Sequence, residues 1–218
     1  MLVDQEQIIE ALIETIQMVA FSLLFSALLG LPLGILLVVT RKGHLLENLP
    51  VFNVLNGIIN VFRSIPFIIL MVAIIPVTRL IVGTSIGTAA AVVPLVFYAG
   101  PYIARLIENS LLEVEPGVIE AAESMGATPW QIVFKFLIPE ALSSLVLAFT
   151  IATVGLVGAS AMAGAVGGGG GGLGDLAITY GYQRFDTAVM LITVGILVII
   201  VQGLQTLGNI TSKKIRRR

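Results

Sequence analysis

Few side chains in this chain could do chemistry, and one long interval gathers several of the charged ones. Residues 113–139 carry Glu113, Glu115, Glu120, Glu123 and Lys135, beside long stretches with almost no charge. The only histidine, His44, has no cysteine or carboxylate cluster near it and reads as a loop residue, and the chain has no cysteine at all. No H-E-x-x-H, no G-x-S-x-G and no paired carboxylates inside an apolar stretch occur, so no catalytic constellation or metal site is indicated. Six consecutive glycines at 167–172 could cradle a phosphate, but no Gly-Lys-Ser/Thr follows them, and the P-loop reading fails. A second polar group is ordered along the chain. Asn53, Asn56, Asn60 and Arg63 step by three, four and three, which places them on one helical face, with Ser64 and Phe67 continuing near it. That stripe has two readings. It either snorkels to headgroups and packs on neighbouring helices, or it lines a polar path, as ionisable groups at depth usually do.

The elements that must position these residues belong in a bilayer. The chain is 57 % apolar and 11 % charged, with mean hydropathy +1.03, against roughly 25 % charged in soluble domains. The fold class expected is therefore an all-α integral membrane protein with five transmembrane helices. The expected spans are 15–40, 54–78, 84–106, 140–166 and 187–211 within a single domain, 1–218. Gly30, Pro32 and Gly34 are expected to bend the first span, and Pro66 and Pro76 make the second irregular. Gly155, Ala159 and Ala163 recur every four residues in the fourth, a face suited to close helix contact. Thr150, Thr153, Ser160 and Met162 are the polar or polarizable groups there, Met162 serving either packing or a ligand.

Between spans three and four the punctuation predicts two short helices. Pro116 suits the first turn of one and Gly126 its C-terminal cap. Thr128 and Pro129 make an N-cap and N1 pair opening the second, which Pro139 is expected to end. Lysine and arginine set the orientation. Arg41, Lys42, Arg105, Lys135 and the five C-terminal cations fall on one side and Arg79 and Arg184 on the other, nine against two. The richer side is cytoplasmic, so the hairpin is cytoplasmic, the C-terminus is inside, and the glycine run lies in a flexible outer loop. The first fourteen residues, acidic and without a basic residue, read as a retained outer N-terminus.

Glu120-Ala121-Ala122, then Gly126 after three residues, then Ile138-Pro139 after eleven more, resembles the EAA signature of bacterial ABC importer permeases of the type I fold. RSIPF at 63–67, VGTSIG at 82–87 and the MGATPWQI run are similar to the methionine-uptake branch, and the likeness covers nearly the whole chain. The glycine run is purer than that branch usually has. The resemblance implies that Glu120, Ala121, Ala122, Gly126, Ala127, Ile138 and Pro139 form a coupling element docking on a separate ATPase. It implies a homodimer in the bacterial cytoplasmic (inner) membrane, with two ATPase copies and an extracytoplasmic binding protein or lipoprotein. It implies no cofactor in this chain, since ATP and Mg would sit on the ATPase.

The residues themselves agree on the class of work. A proton-coupled transporter would carry acids inside its spans, and an ATP-driven pump would need a P-loop; the expected spans and the chain lack them. Near-neutral net charge gives no case for nucleic acid. The expected function is a transport subunit, not an enzyme, moving methionine or a related amino acid by alternating access. Asn60, Arg63, Ser64, Ser160 and Met162 are the candidate pathway residues. A channel or membrane scaffold with a partner-binding hairpin is the other reading.

Overall fold

The structure is a computed structural model and describes residues 3–166 and 171–216. It is built from helices: α1 (Gln5–Thr40), α2 (Leu49–Ser64), α3 (Phe67–Ala73), α4 (Ile75–Val82), α5 (Thr88–Leu112), α6 (Pro116–Ser124), α7 (Pro129–Ile132), α8 (Ile138–Glu140), α9 (Leu142–Val166), α10 (Gly172–Leu176) and α11 (Thr187–Arg216). Among the described residues, four helices, α1, α5, α9 and α11, are long and apolar enough to cross a membrane unaided. With the bent pair α2–α3 counted as one span, there are five.

The second span is irregular, as Pro66 and Pro76 suggest, and the irregularity is a break into separate helices. Between α2 and α3 the chain turns by 103°. Pro66 has no N–H and crowds the residue before it, so Ile65 takes extended angles (φ −86°, ψ 122°) and the helix stops. The first span differs the other way. α1 runs unbroken through Gly30, Pro32 and Gly34, and the two glycines serve packing. A Cβ on Gly30 would lie 2.8 Å from the Gly100 carbonyl oxygen, and one on Gly34 would lie 2.7 Å from that of Ala104. The glycines thus let α1 and α5, the most extensively packed pair, approach backbone to backbone.

The main core lies where α1, α5 and α9 meet, around Leu95, Ile103, Ile107, Leu137 and Leu156. Ala159 and Ala163 of the small-residue face are buried in it, whereas Gly155 opens to free space, with nothing within 4 Å of a Cβ. Gly155 therefore makes no close helix contact within this chain, contrary to the four-residue pattern. The tight approach of α9 to α11 is at Gly208 instead, where a Cβ would collide with Thr150.

Residues 167–170 of the glycine run lie outside the described residues. Gly171 and Gly172 are packed, which corrects the flexible-loop expectation for that end. Both have positive φ (71° and 82°). Gly172 donates to Glu14 Oε2 at 2.7 Å and Leu173 N–H donates to Thr15 Oγ1 at 2.8 Å. A Cβ on Gly171 would sit 2.5 Å from Glu14 Oε2, so only glycine brings the backbone this near the carboxylate.

Candidate functional site

Two surfaces emerge from the residues singled out in the sequence. The first is the hairpin of α6 and α7. α6 opens at Pro116 and ends in a Schellman motif: Ala127 N–H donates to Ala122 O at 3.1 Å and Gly126 N–H to Glu123 O at 2.9 Å. Gly126 has φ +76°, and nothing lies within 4 Å of where its Cβ would be, so its requirement here is backbone conformation alone. Thr128 then begins α7, its N–H donating to Gln131 Oε1 at 2.9 Å as one half of a capping box.

Glu120, Ala121 and Glu123 face outward, but Ala122 is fully buried and Ala127 half-buried. Ala122 thus packs the hairpin together and presents no surface, a departure from its expected place at the contact. The exposed apolar tip is made by residues that the motif did not single out. Met125, Trp130 and Phe134 are 69 %, 51 % and 58 % exposed. The two rings stack at 6.1 Å. The i, i+4 spacing of Trp130 and Phe134 was the signal available for them.

Pro139 does not end the second helix. Residues Val133–Leu137 form a π-helical turn, in which Ile138 N–H reaches back to Val133 O. The wider turn absorbs the missing proline N–H and relieves the clash of its ring with the preceding turn. Helical hydrogen bonding continues through Ala141 N–H to Leu137 O at 3.0 Å and Leu145 N–H to Ala141 O at 2.8 Å. Ile138 is half-buried and Pro139 exposed. Beside α6 the loop 41–48 leaves a cleft of about 490 Å³, lined among others by His44, Leu45, Ile119, Glu120 and Glu123. Burial, then the Arg41 charge, pushes the His44 pKa below its ordinary value of 6.5.

The second surface is a groove at the α2–α3 break, with a cavity of about 560 Å³. Arg63, Ser64, Phe67, Tyr98, Gly155 and Met162 are among its lining residues. Gly155 and Gly158 open its α9 wall beside Ala159 and Met162. Tyr98 stands edge-on to Phe67, ring centroids 5.3 Å apart. Arg63 is exposed and Met162 is 48 % exposed. The groove pairs a guanidinium with aromatic and thioether walls, chemistry suited to a small amphiphile bearing a carboxylate. Ser64 Oγ donates to Asn60 O at 2.8 Å within α2.

Two predicted residues stand apart. Ser160 is 1 % exposed and donates to Val157 O at 2.8 Å, outside the groove. Asn60 turns to Arg105, whose Nη2 donates to Asn60 Oδ1 at 2.9 Å and to Asn56 Oδ1 at 2.6 Å. In the sequence Arg105 counts only toward the orientation, and Glu108 carries no signal of its own. Among the described residues no cluster of three or more histidine, cysteine or acidic side chains could hold a metal.

The profile of the family described as "Binding-protein-dependent transport system inner membrane component" matches residues 30–217. A probable D-methionine transport system permease protein MetI of Vibrio cholerae is 50 % identical over 215 residues, 99 % of this chain and 95 % of that protein. The D-methionine transport system permease protein MetI of Escherichia coli K12 is 56 % identical over 151 residues, 69 % of this chain and 70 % of that one. Among solved structures, one of inward facing conformations of the MetNI methionine ABC transporter superposes with TM-score 0.94 at 48 % identity, covering 97 % of each chain.

Proposed function

This chain belongs to the binding-protein-dependent transport system inner membrane component family, and on that premise we propose that it is the permease subunit of an ATP-driven methionine importer. Two copies would form the path across the inner membrane. Each would seat an ATPase on its α6–α7 hairpin, and an extracytoplasmic binding protein would deliver cargo at the opposite face. The relatives' names support methionine or its D-enantiomer as the substrate. ATP and Mg belong to the ATPase chains, and this chain performs no hydrolysis.

The observation that carries the reading is the hairpin. A capped, rigid turn presents Glu120 and Ala121 beside the exposed Met125, Trp130 and Phe134, and water-facing apolar side chains of this size mark a partner surface. On the richer-cation side of the membrane, that partner is cytoplasmic. Nucleotide-driven closure of two ATPase subunits would draw the two hairpins together and rearrange the spans, opening the groove outward; hydrolysis would reset it. In the groove, Arg63 would meet the substrate carboxylate, and Phe67, Tyr98 and Met162 its thioether arm.

The test is purification from native membranes followed by reconstitution in liposomes. The permease should bring down an ABC ATPase in equal copies, and hydrolysis should rise with methionine-loaded binding protein and not with an unrelated loaded one. A permease that purifies without an ATPase, or a cysteine at position 129 that is labelled from outside, would overturn the proposal.

A further inference from the structure

The cytoplasmic ends of α1 and α5 meet the second half of α2 in a polar cluster used by neither surface described above. Glu108 of α5 has only 1 % of its side chain exposed. It is paired with Arg105 one turn earlier and with Arg41, at the end of α1, at 3.5 Å. Arg105 extends its other terminal nitrogen to α2, where Asn56 Oδ1 and Asn60 Oδ1 accept from Nη2 at 2.6 and 2.9 Å. The two asparagines are one helical turn apart, so a single guanidinium edge spans both.

The arrangement is asymmetric in a way that matters. Glu108 neutralises Arg105 whether or not α2 is present, and Arg41 ties the pair to α1. If α2 left, two neutral amides and one edge of an already compensated guanidinium would pass to water. No buried charge would lose its counter-ion, which is the event that makes breaking a buried ion pair costly. Ile59 is the one fully buried residue of α2; Phe52 and Leu55 pack half-buried beside it against Leu37 and Ala104, and Phe62 meets the Phe97 ring at 6.1 Å. At its far end α2 runs into the 103° break and presents Arg63 to the groove. A segment whose polar hold on a fixed charged platform is two replaceable hydrogen bonds, and whose apolar contacts are mostly half-buried, is suited to leaving and returning.

We propose that α2 docks reversibly on an Arg41–Glu108–Arg105 platform through Asn56 and Asn60, and that its release from that platform is a step of the transport cycle. Arg105 is then a positioning residue, acting on Arg63 and the groove through α2. The proposal rests on the permease reading. It can be tested separately in liposomes holding the full complex of permease, ATPase and binding protein. Asn56→Ala with Asn60→Ala removes the α2 side of the clasp and leaves the platform intact. Asn60→Asp puts a carboxylate against Arg105 and tightens it.

The expected results differ in sign. The double variant should raise cargo-independent ATP hydrolysis severalfold and lower uptake per ATP. Asn60→Asp should hold cargo-independent hydrolysis at or below the wild-type rate and slow cargo-stimulated turnover severalfold. Should the double variant not assemble, each single alanine variant is read by the same rule. Cargo-independent hydrolysis that moves in the same direction in both, or moves in neither, would overturn the proposal, because a merely structural clasp predicts no opposition. A wild-type complex without cargo-stimulated hydrolysis would instead refute the permease reading.

Discussion

The methyl group that Gly34 lacks would report directly on how α1 and α5 are held. In Gly34→Ala the new Cβ would lie 2.7 Å from the Ala104 carbonyl oxygen and 2.8 Å from Cβ and Cγ2 of Ile107, where ordinary contact begins at 3.4 Å. A backbone carbonyl cannot rotate away, so the two helices must part by roughly 0.6 Å at this level, and a gap of that size forfeits about a quarter or more of each neighbouring dispersion contact. Overpacking of this kind costs about 1–3 kcal/mol. Alanine's better helix propensity returns up to about 1 kcal/mol. The net expectation is a loss of about 1–2 kcal/mol, or about 2–4 °C of melting temperature per kcal/mol for a chain of this size. Gly30→Ala should behave alike, and the double variant should lose less than the sum, because one separation of the helices relieves both clashes. Gly195→Ala and Gly203→Ala are the controls, since nothing lies within 4 Å of either Cβ. They should match wild type or gain up to about 1 kcal/mol from helix propensity. The assay is the fraction of purified protein still eluting as a single species after graded heating in one detergent. If Gly34→Ala survives as well as Gly195→Ala, the close backbone approach does not hold the bundle together.

Three further outcomes are expected. Gly126→Val forces a β-branched residue into φ +76°, at a cost on the order of 1–2 kcal/mol, and should reduce the ATPase recovered per permease. Gly126→Asn, which tolerates that conformation, should recover most of it, and equal loss in both would place the defect elsewhere. Arg63→Leu should lower uptake severalfold while assembly stays normal; normal uptake at normal expression would remove Arg63 from the path. His44 has a depressed pKa in the fold, so the unfolded loop binds the proton more readily. The stabilisation is therefore complete above about pH 6.5 and is lost as pH falls through the lower folded value. Protection of the 41–48 amides, taken relative to their slower intrinsic exchange at low pH, should fall on acidification, His44→Gln should flatten that dependence, and an unchanged profile in the variant would clear His44.

What the sequence made legible was local. The Schellman turn needs only a helix followed by Gly126, and the start of α7 needs only Thr128 and Pro129, so both are written in adjacent residues. The charge-free stretches likewise announced the long helices without any knowledge of packing. Long-range features were not accessible in this way. Glu108 and Arg41 are 67 residues apart in the chain, and an arginine near a helix end looks the same whether it faces headgroups or clasps a neighbour. Pro66 signals an interruption but carries no information on the angle that follows. Pro139 misled because its local rule allows two answers, a stop or a widened turn, and the packing of Leu137 and Ala141 into the main core favours the one that keeps the helix going. Gly30 and Gly34 read as flexibility because their partner, α5, is distant in sequence. Ala122 and Ser160 were placed on surfaces by motif and polarity, yet both are buried.

The widened turn at Val133–Leu137 also has a mechanical meaning. Because it replaces a break, helical hydrogen bonding runs on from the stacked rings at the hairpin tip, through a turn at Ala141, into α9 and on to Met162 in the groove, roughly 50 Å of chain at about 1.5 Å per residue. A hinge between them would let a push on the tip dissipate as local bending. Continuous backbone hydrogen bonding instead carries a displacement at Trp130 onward toward α9. The extra residue in such a turn also sets the phase, because each residue advances a helix by about 100°. The aromatic tip and the open glycine wall of α9 are thereby fixed in bearing, like two cranks keyed to one shaft.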